Sequence, residues 1–557
     1  MTKNTGPLVI LLARWLHLPA TQIALLTMVW ALVALTNLGG ATLWDIDEGN
    51  NAEASREMRA ADNWVVPTFN YQLRVDKPAL INWLQILCGM VFGEGEFAAR
   101  FPSALAGLAT VLAVWLLGRL CLGGLGGLLS AFVLLGCPLF VAAMRFANPD
   151  SLLTALVSWC LVCFFLGQRG AGVWWLYGAA CASGLAMLAK GPVGLAMPGA
   201  IILVHLLLAG GWLRIPWRHL AGAFLVWLAV AGPWYLWVGV ETKFAWHKGF
   251  FLQHNLGRLA APMEGHGGPV WYYLPILLAG TFPFSTLLLL PALVLARRRT
   301  LPDWWPLLAL GCAWVAVPVV VFSLSRTKLP NYVLPAYPGL ALLLAAGMTG
   351  WRRGLITAPM GWVRLGMGIL AVAGVAVAAG FLVGGGAIAM PFSDKVKPLA
   401  GLESMAPVGS LFLVAGLAGW VLAHRALPTV AIVTVCGLLF SMVLGAWNGQ
   451  TLNAHKAPKA LATALPADQM HREVRLGVFE WFQPSFVYYT RRAVERIPGE
   501  TDLEWFLTQP IAAYVAMPAE RWEGLRGRFP NARELLRQPD FYRRCEVVLV
   551  ANAAAGQ

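Results

Sequence analysis

Charge is what this chain has least of. Only 12% of its 557 residues are charged, whereas 58% are hydrophobic and 26 are Trp, and the mean hydropathy is +0.65. That balance excludes a soluble globular protein and leaves a polytopic α-helical membrane protein. Cysteine is sparse too: nine residues, most of them inside apolar runs, with no disulfide framework and no zinc motif. Cys160-Leu-Val-Cys163 is formally a CxxC, but it lies within a membrane run with no second pair, and packing one helical turn apart accounts for it. There is no glycine-rich phosphate loop of the GxGxxG or Walker type and no short repeat. The first apolar run lacks a small-residue cleavage site and is expected to stay as a membrane helix. The net charge of +14 could suggest nucleic acid. Most Lys and Arg instead sit in short loops between apolar runs, where they orient the protein and meet anionic lipid head groups, so nucleic acid binding is not expected.

What is there is a series of apolar runs, at 20–38, 101–120, 123–143, 151–168, 172–189, 193–210, 219–238, 270–294, 303–324, 331–349, 365–386, 406–423 and 427–446. They predict about thirteen transmembrane helices. With a cytoplasmic N-terminus, the loops carrying Arg119, Arg169, Arg214, Arg218, Arg297 to Arg299, Arg352, Arg353 and Arg425 fall inside, a consistent positive-inside pattern. The loops at 39–100 and 239–269, and everything after Trp447, then lie outside, which in a bacterium is the periplasm. The expected organisation is a transmembrane part over 1–448 and an external C-terminal domain over 449–557. From about residue 470 strand-like and helix-like pieces alternate: Val474 to Phe479, Pro484 to Arg492, Thr501 to Thr508, Ile511 to Ala516, Ala519 to Phe529, Cys545 to Val550. This reads as a small α/β domain.

The scarce ionisable groups crowd into the first external loop: Asp45, Asp47, Glu48, Glu53, Arg56, Glu57, Arg59, Asp62, Arg74, Asp76 and Lys77. Asp47 and Glu48 precede a helical pattern from Asn51 to Ala61, so Asp47 is either a helix cap or a ligand-binding or catalytic carboxylate. Lys77 precedes Pro78 at a helix start, where capping has no use for a cation and a bound anion does. Asp150 again opens an external helix, with capping as the competing role. Lys190-Gly-Pro192 and Arg326-Thr-Lys328-Leu-Pro330 repeat cation-then-proline at an external boundary, followed by Tyr332 and Tyr337 as belt aromatics or site hydroxyls. With Arg145 and Arg258, these cations oppose the prevailing bias and suggest an anionic ligand such as lipid phosphate, ordinary head-group contact being the alternative. His254, His266 and Glu264 could hold a divalent ion, Zn or Mg, although their spacing fits no standard motif and no cofactor is required.

The segment Asp47-Glu48-(x3)-Ala52-Glu53-(x)-Ser55-Arg56-Glu57-Met58, with Lys77-Pro78, Trp83 and Phe92-Gly93 to Arg100, resembles the bacterial 4-amino-4-deoxy-L-arabinose lipid A transferases. These belong with the protein mannosyltransferase-like enzymes of the GT-C class. His254 with Arg258, Trp271-Tyr-Tyr273 and Lys328-Leu-Pro330 extend the match. Asn51 departs from it, where relatives often carry Tyr. The resemblance implies transfer of aminoarabinose from undecaprenyl phosphate to a lipid A phosphate at the periplasmic face of the inner membrane, with polymyxin resistance as the phenotype. It implies Lys77 and Arg258 on the donor phosphate, and Lys328, Arg326 and Lys190 in the same work or on lipid A phosphates. Arg56, Tyr332 and Tyr337 are expected as further substrate contacts, an ordinary solvated helix face being the alternative for Arg56 beside Glu53 and Glu57. Asp47 would orient the reactants, stabilise oxocarbenium-like charge or hold a cation, with Asp150 as its partner and Glu48 recognising the amino sugar. A phosphate acceptor is already an anion, so a dedicated general base is less necessary than for a hydroxyl. The alternatives are a polyprenyl-phosphate sugar transferase acting on protein hydroxyls and, more distantly, a lipid transporter. Transporters place ionisable groups near mid-membrane rather than at helix ends.

Overall fold

The computed structural model describes residues 18–210, 215–257, 267–388, 398–447 and 449–556. After a first apolar helix, Pro19–Ala34, the chain leaves the apolar layer for a long loop. This loop holds helix α1 (Asp47–Ala60), a hairpin of β1 (Thr68–Phe69) and β2 (Gln72–Leu73), and helix α2 (Leu80–Phe92). Helix α1 is polar but buried along most of its length, which explains why its carboxylates and amides are so heavily bonded. The spans follow, beginning with α3 (Glu96–Leu122), α4 (Asp150–Gln168) and α5 (Trp174–Lys190).

Among the described residues, eight helices are long and apolar enough to cross a membrane. Two bent pairs, Gly124–Leu135 with Pro138–Met144 and Val270–Gly280 with Phe284–Ala296, raise this to ten if each is one span. Every expected run is helical; the three outside the count, Pro19–Ala34, α5 and Val193–Ala209, are only 16, 17 and 17 residues long. The helices bury one large apolar core with smaller clusters beside it, and Leu and Val side chains face outward along Trp217–Glu241 and Met360–Gly384, as a lipid-facing surface requires.

The C-terminal domain is a five-stranded sheet in the order β4-β3-β5-β7-β6. Strand β3 (Val474–Phe479) runs parallel to β4 (Val494–Ile497) and β5 (Ala512–Pro518). The antiparallel strands β7 (Cys545–Ala551) and β6 (Arg533–Asp540) complete it. Separate apolar clusters pack on its two faces. Its helix α6 (Pro484–Thr490), which follows β3, lies against α1. The two strands absent from the sequence reading, β4 and β6, are the sheet's edges. Their half-exposed, charge-rich sequences Val-Glu-Arg-Ile and Arg-Glu-Leu-Leu-Arg-Gln-Pro-Asp carry no apolar run, as expected where one side of a strand has no neighbour.

Candidate active site

Helix α1 opens at Asp47, with Ile46 at its N-cap and no side-chain cap. The Asp47 carboxylate therefore does not cap. It accepts a hydrogen bond from Lys77 Nζ at 2.8 Å and remains 43% exposed, open to an arriving molecule. Asp150 likewise opens α4 without capping it. One of its oxygens pairs with Lys190 and the other accepts from the side-chain amide of Asn331. The Lys190 ammonium lies 5.0 Å over the Tyr332 ring, and Asp47 and Lys190 are close enough to feel each other's charge. Two carboxylate–lysine pairs thus lie within electrostatic reach of each other, one at the start of the loop helix α1 and the other, with its tyrosine, at the start of the span α4.

The electrostatics set the protonation of this cluster. The Lys77 ammonium holds the Asp47 carboxyl below its ordinary range despite burial, so Asp47 is ionised near neutral pH and is a weak proton acceptor. Burial pushes the neighbouring Asp76 up, but the charges of Arg74, Lys77 and His254 outweigh it and hold Asp76 well below the usual carboxylate range. Arg74 grips Asp76 through two hydrogen bonds, 2.6 and 3.0 Å, and also donates to Asn50 O and Asn51 Oδ1. This ties the Lys77 segment to α1. Asn51 is fully buried and donates to Ala147 O at 2.8 Å, so it is a joint in the scaffold.

Several expected site residues are placed elsewhere. Glu48 does not face a sugar: it is 0% exposed and accepts from Arg100 Nε (2.8 Å) and Nη2 (2.7 Å) and from the backbone N–H groups of Trp44 and Ala147. Arg56 lies about two and a half turns beyond Asp47, on the opposite side of α1, and is paired with Glu53. Tyr337 is fully buried and donates to Ile276 O at 3.2 Å. Lys328 is buried and spends its donors on Ser323 O and Ser325 O at the end of a span. Arg326 is exposed and is not drawn into the cluster. Arg145 donates to Val33 O, Ala34 O, Thr36 O and Gly445 O. The excess of cations on this face therefore has two origins. Some face a site, and others satisfy helix-terminal carbonyls that no water can reach.

Arg258, Glu264 and His266 lie outside the described residues. Among the described residues no three His, Cys, Asp or Glu side chains converge as a metal set; His254 is placed within electrostatic reach of Asp76. Asn331 was not singled out in the sequence, because an Asn between prolines in a turn has no signal of its own.

Residues 76–237 match the family model described as dolichyl-phosphate-mannose-protein mannosyltransferase. The undecaprenyl phosphate-α-4-amino-4-deoxy-L-arabinose arabinosyl transferase of Erwinia tasmaniensis is 29% identical over 550 residues, covering 94% of this chain and 92% of the relative. The chain is a relative of the undecaprenyl-phosphate aminoarabinose transferases. The enzyme of the same name from Pectobacterium carotovorum is 32% identical over 372 residues, 64% of this chain; here the chain spans just under two thirds of the relative, 65%. The crystal structure of ArnT from Cupriavidus metallidurans bound to undecaprenyl phosphate superposes with a TM-score of 0.75 at 23% identity, covering 96% of this chain and 98% of that one. The two share a fold over nearly the whole of both chains.

Proposed function

We propose that this protein is a glycosyltransferase that moves 4-amino-4-deoxy-L-arabinose from undecaprenyl phosphate to a phosphate of lipid A. In this reading residues 1–448 form the transferase part in the inner membrane, and residues 449–557 a domain in the periplasm. The Asp47–Lys77 pair carries the reading: an open carboxylate and an ammonium, 2.8 Å apart, at the rim of a helical membrane part. The similarity to the Erwinia enzyme along 94% of the chain supports the choice of sugar and carrier.

The chemistry follows from the charges. Lys77 and Arg258 take the donor phosphate, and a phosphate reaching Lys77 competes with Asp47 for the same ammonium. Binding of the donor thereby releases the Asp47 carboxylate toward the sugar. As the anomeric C–O bond breaks, the undecaprenyl phosphate leaves with the electron pair, and the cations stabilise it. A lipid A phosphate oxygen forms the new bond to the anomeric carbon. Asp47, already ionised when the donor arrives, stabilises positive charge developing on the ring rather than removing a proton. Asp150, oriented by Lys190 and Asn331, supports the acceptor side of the cluster.

The family model's name favours a second reading, transfer to a protein hydroxyl. A hydroxyl needs a base, and a carboxylate with a depressed pKa is a poor one, so the phosphate acceptor is preferred. Mass spectrometry of lipid A from cells supplied with the donor pathway tests this. Wild-type protein is expected to add an aminopentose, and Asp47→Ala and Lys77→Ala to abolish the addition. Unmodified lipid A with wild-type protein and donor present refutes the function; full activity in both variants refutes the site.

A further inference from the structure

Three carboxylates within four residues point in three directions. Glu48 anchors the start of α1 to Arg100 and to Ala147 N–H in the membrane part. Asp47 faces the site. Asp45 reaches into the C-terminal domain, where its two oxygens accept from the backbone N–H of Ser485 (2.7 Å) and from Ser485 Oγ. The Asp45 N–H donates in turn to Tyr542 Oη at 3.0 Å.

The approach is close enough to constrain the sequence. A Cβ at Gly49 would stand 2.4 Å from Ser485 N and 2.9 Å from the Pro484 carbonyl carbon, so only glycine lets α6 come this near. On the flank, Lys456 lies 3.3 Å over the Trp44 ring and donates to Thr42 O at 3.1 Å. The titratable groups around Asp45 are Lys456, Asp540 and Tyr542. Burial pushes the Asp45 carboxyl up to about 7, against the pull of Ser485 and Lys456. Enclosing an ionised carboxylate without a direct ion pair costs stability, and the strands of the sheet do not need it. Such a cost is ordinarily met where function requires it.

We propose that Asp45 and Ser485 are positioning residues, through which the C-terminal domain fixes the start of α1 and with it the Asp47 carboxylate. This gives the domain a role in the transfer reaction proposed above, on which the inference rests. Asp47 is held from both sides, by the membrane part through Glu48 and by the domain through Asp45. Neither Asp45 nor Ser485 touches substrate. Losing one hold displaces Asp47 relative to Lys77, and displacements of about 1 Å at a reacting centre cost about 100-fold in rate.

The test uses the full chain in lipid nanodiscs, as wild type, Asp45→Ala, Ser485→Ala and Asp45→Asn. Asparagine preserves both hydrogen bonds, its oxygen accepting from Ser485 N–H and its amide donating to Ser485 Oγ. Three quantities are measured: turnover, affinity for undecaprenyl phosphate, and the rate at which an amine-directed reagent modifies Lys77. Asp45→Ala and Ser485→Ala are expected to lower turnover by about tenfold or more while donor-lipid affinity changes by less than about threefold. Lys77 should be modified severalfold faster, because Asp47 no longer holds it. Asp45→Asn should retain at least about half of the turnover, which a catalytic Asp45 would not allow. Unchanged turnover and Lys77 reactivity in Asp45→Ala overturn the proposal. So does a loss of turnover matched by an equal loss of lipid binding, the mark of a damaged fold. If the wild type transfers no aminoarabinose, the proposed function falls, while the Lys77 modification rates still decide for or against positioning.

Discussion

Replacing Arg100 with Met separates the scaffold from the chemistry in this cluster. Arg100 is 1% exposed and donates to both oxygens of Glu48 and to the carbonyls of Leu38, Ala41 and Thr42. The methionine fills most of the volume but removes every one of these donors. Glu48, 0% exposed, keeps only the N–H groups of Trp44 and Ala147 as hydrogen-bond donors. Breaking a buried pair from one side costs about 3–5 kcal/mol, and about 4 kcal/mol lowers the folded-to-unfolded ratio roughly a thousandfold. The expected result is a drop of several degrees in the apparent melting temperature in detergent and a poor yield of folded protein. Adding Glu48→Gln to Arg100→Met removes the stranded charge and should recover part of the loss, a coupling that a double-mutant cycle reads directly. Turnover per folded molecule should follow folding. The reasoning fails if Glu48→Gln abolishes transfer at unchanged thermal stability while Arg100→Met melts like the wild type. Glu48 would then be acting on substrate.

Asn331→Ala leaves one oxygen of Asp150 without its donor; a lost bond to a charged group of about 1.5–3 kcal/mol predicts turnover down by roughly ten- to a hundredfold in a steady-state assay. Tyr332→Leu removes the ring beneath Lys190 and should cost about 0.5–2 kcal/mol of function. Tyr337→Phe loses only a bond to Ile276 O and should leave turnover per folded molecule unchanged; the reverse ranking would refute the placement of the two tyrosines. The carboxyl of Asp45 has its pKa raised by burial to about 7. Its contribution to stability is therefore fully present below the ordinary carboxylate range and is lost as pH rises through about 7. Asp45→Asn should accordingly gain in melting temperature relative to wild type between pH 5 and pH 8. A gap that stays constant across that window contradicts the burial argument.

The spans, and Asp47 and Lys77 as separate candidates, were legible because in so apolar a chain every charge stands out and the length of the apolar runs locates the helices; that Lys77 rather than Asp150 is the direct partner of Asp47 was not. What charge counting could not divide was cations aimed at a ligand from cations aimed at carbonyls. Lys77 and Arg145 look alike in sequence, yet one meets a carboxylate and the other the ends of two helices. That division depends on which helix termini come together in space. The anchoring of Glu48 was hidden for the same reason, since its partner Arg100 stands 52 residues away. Asn331 and the edge strands β4 and β6 were not legible at all: an amide gains its role from Asp150, and an edge strand from the single neighbour it pairs with.

The free edge of the sheet is covered in an unusual way. Asn70, at the tip of the first-loop hairpin, gives and takes hydrogen bonds with the backbone O and N–H of Val494 at 2.9 and 2.8 Å, as a neighbouring strand would. These partners are 424 residues apart. During synthesis the hairpin is made early and β4 among the last segments, so the loop must wait through the insertion of nearly every span before its counterpart exists. Maturation of the first loop is thereby tied to the end of translation, and a chain that stalls before the sheet displays its carboxylates without the surface that orders them.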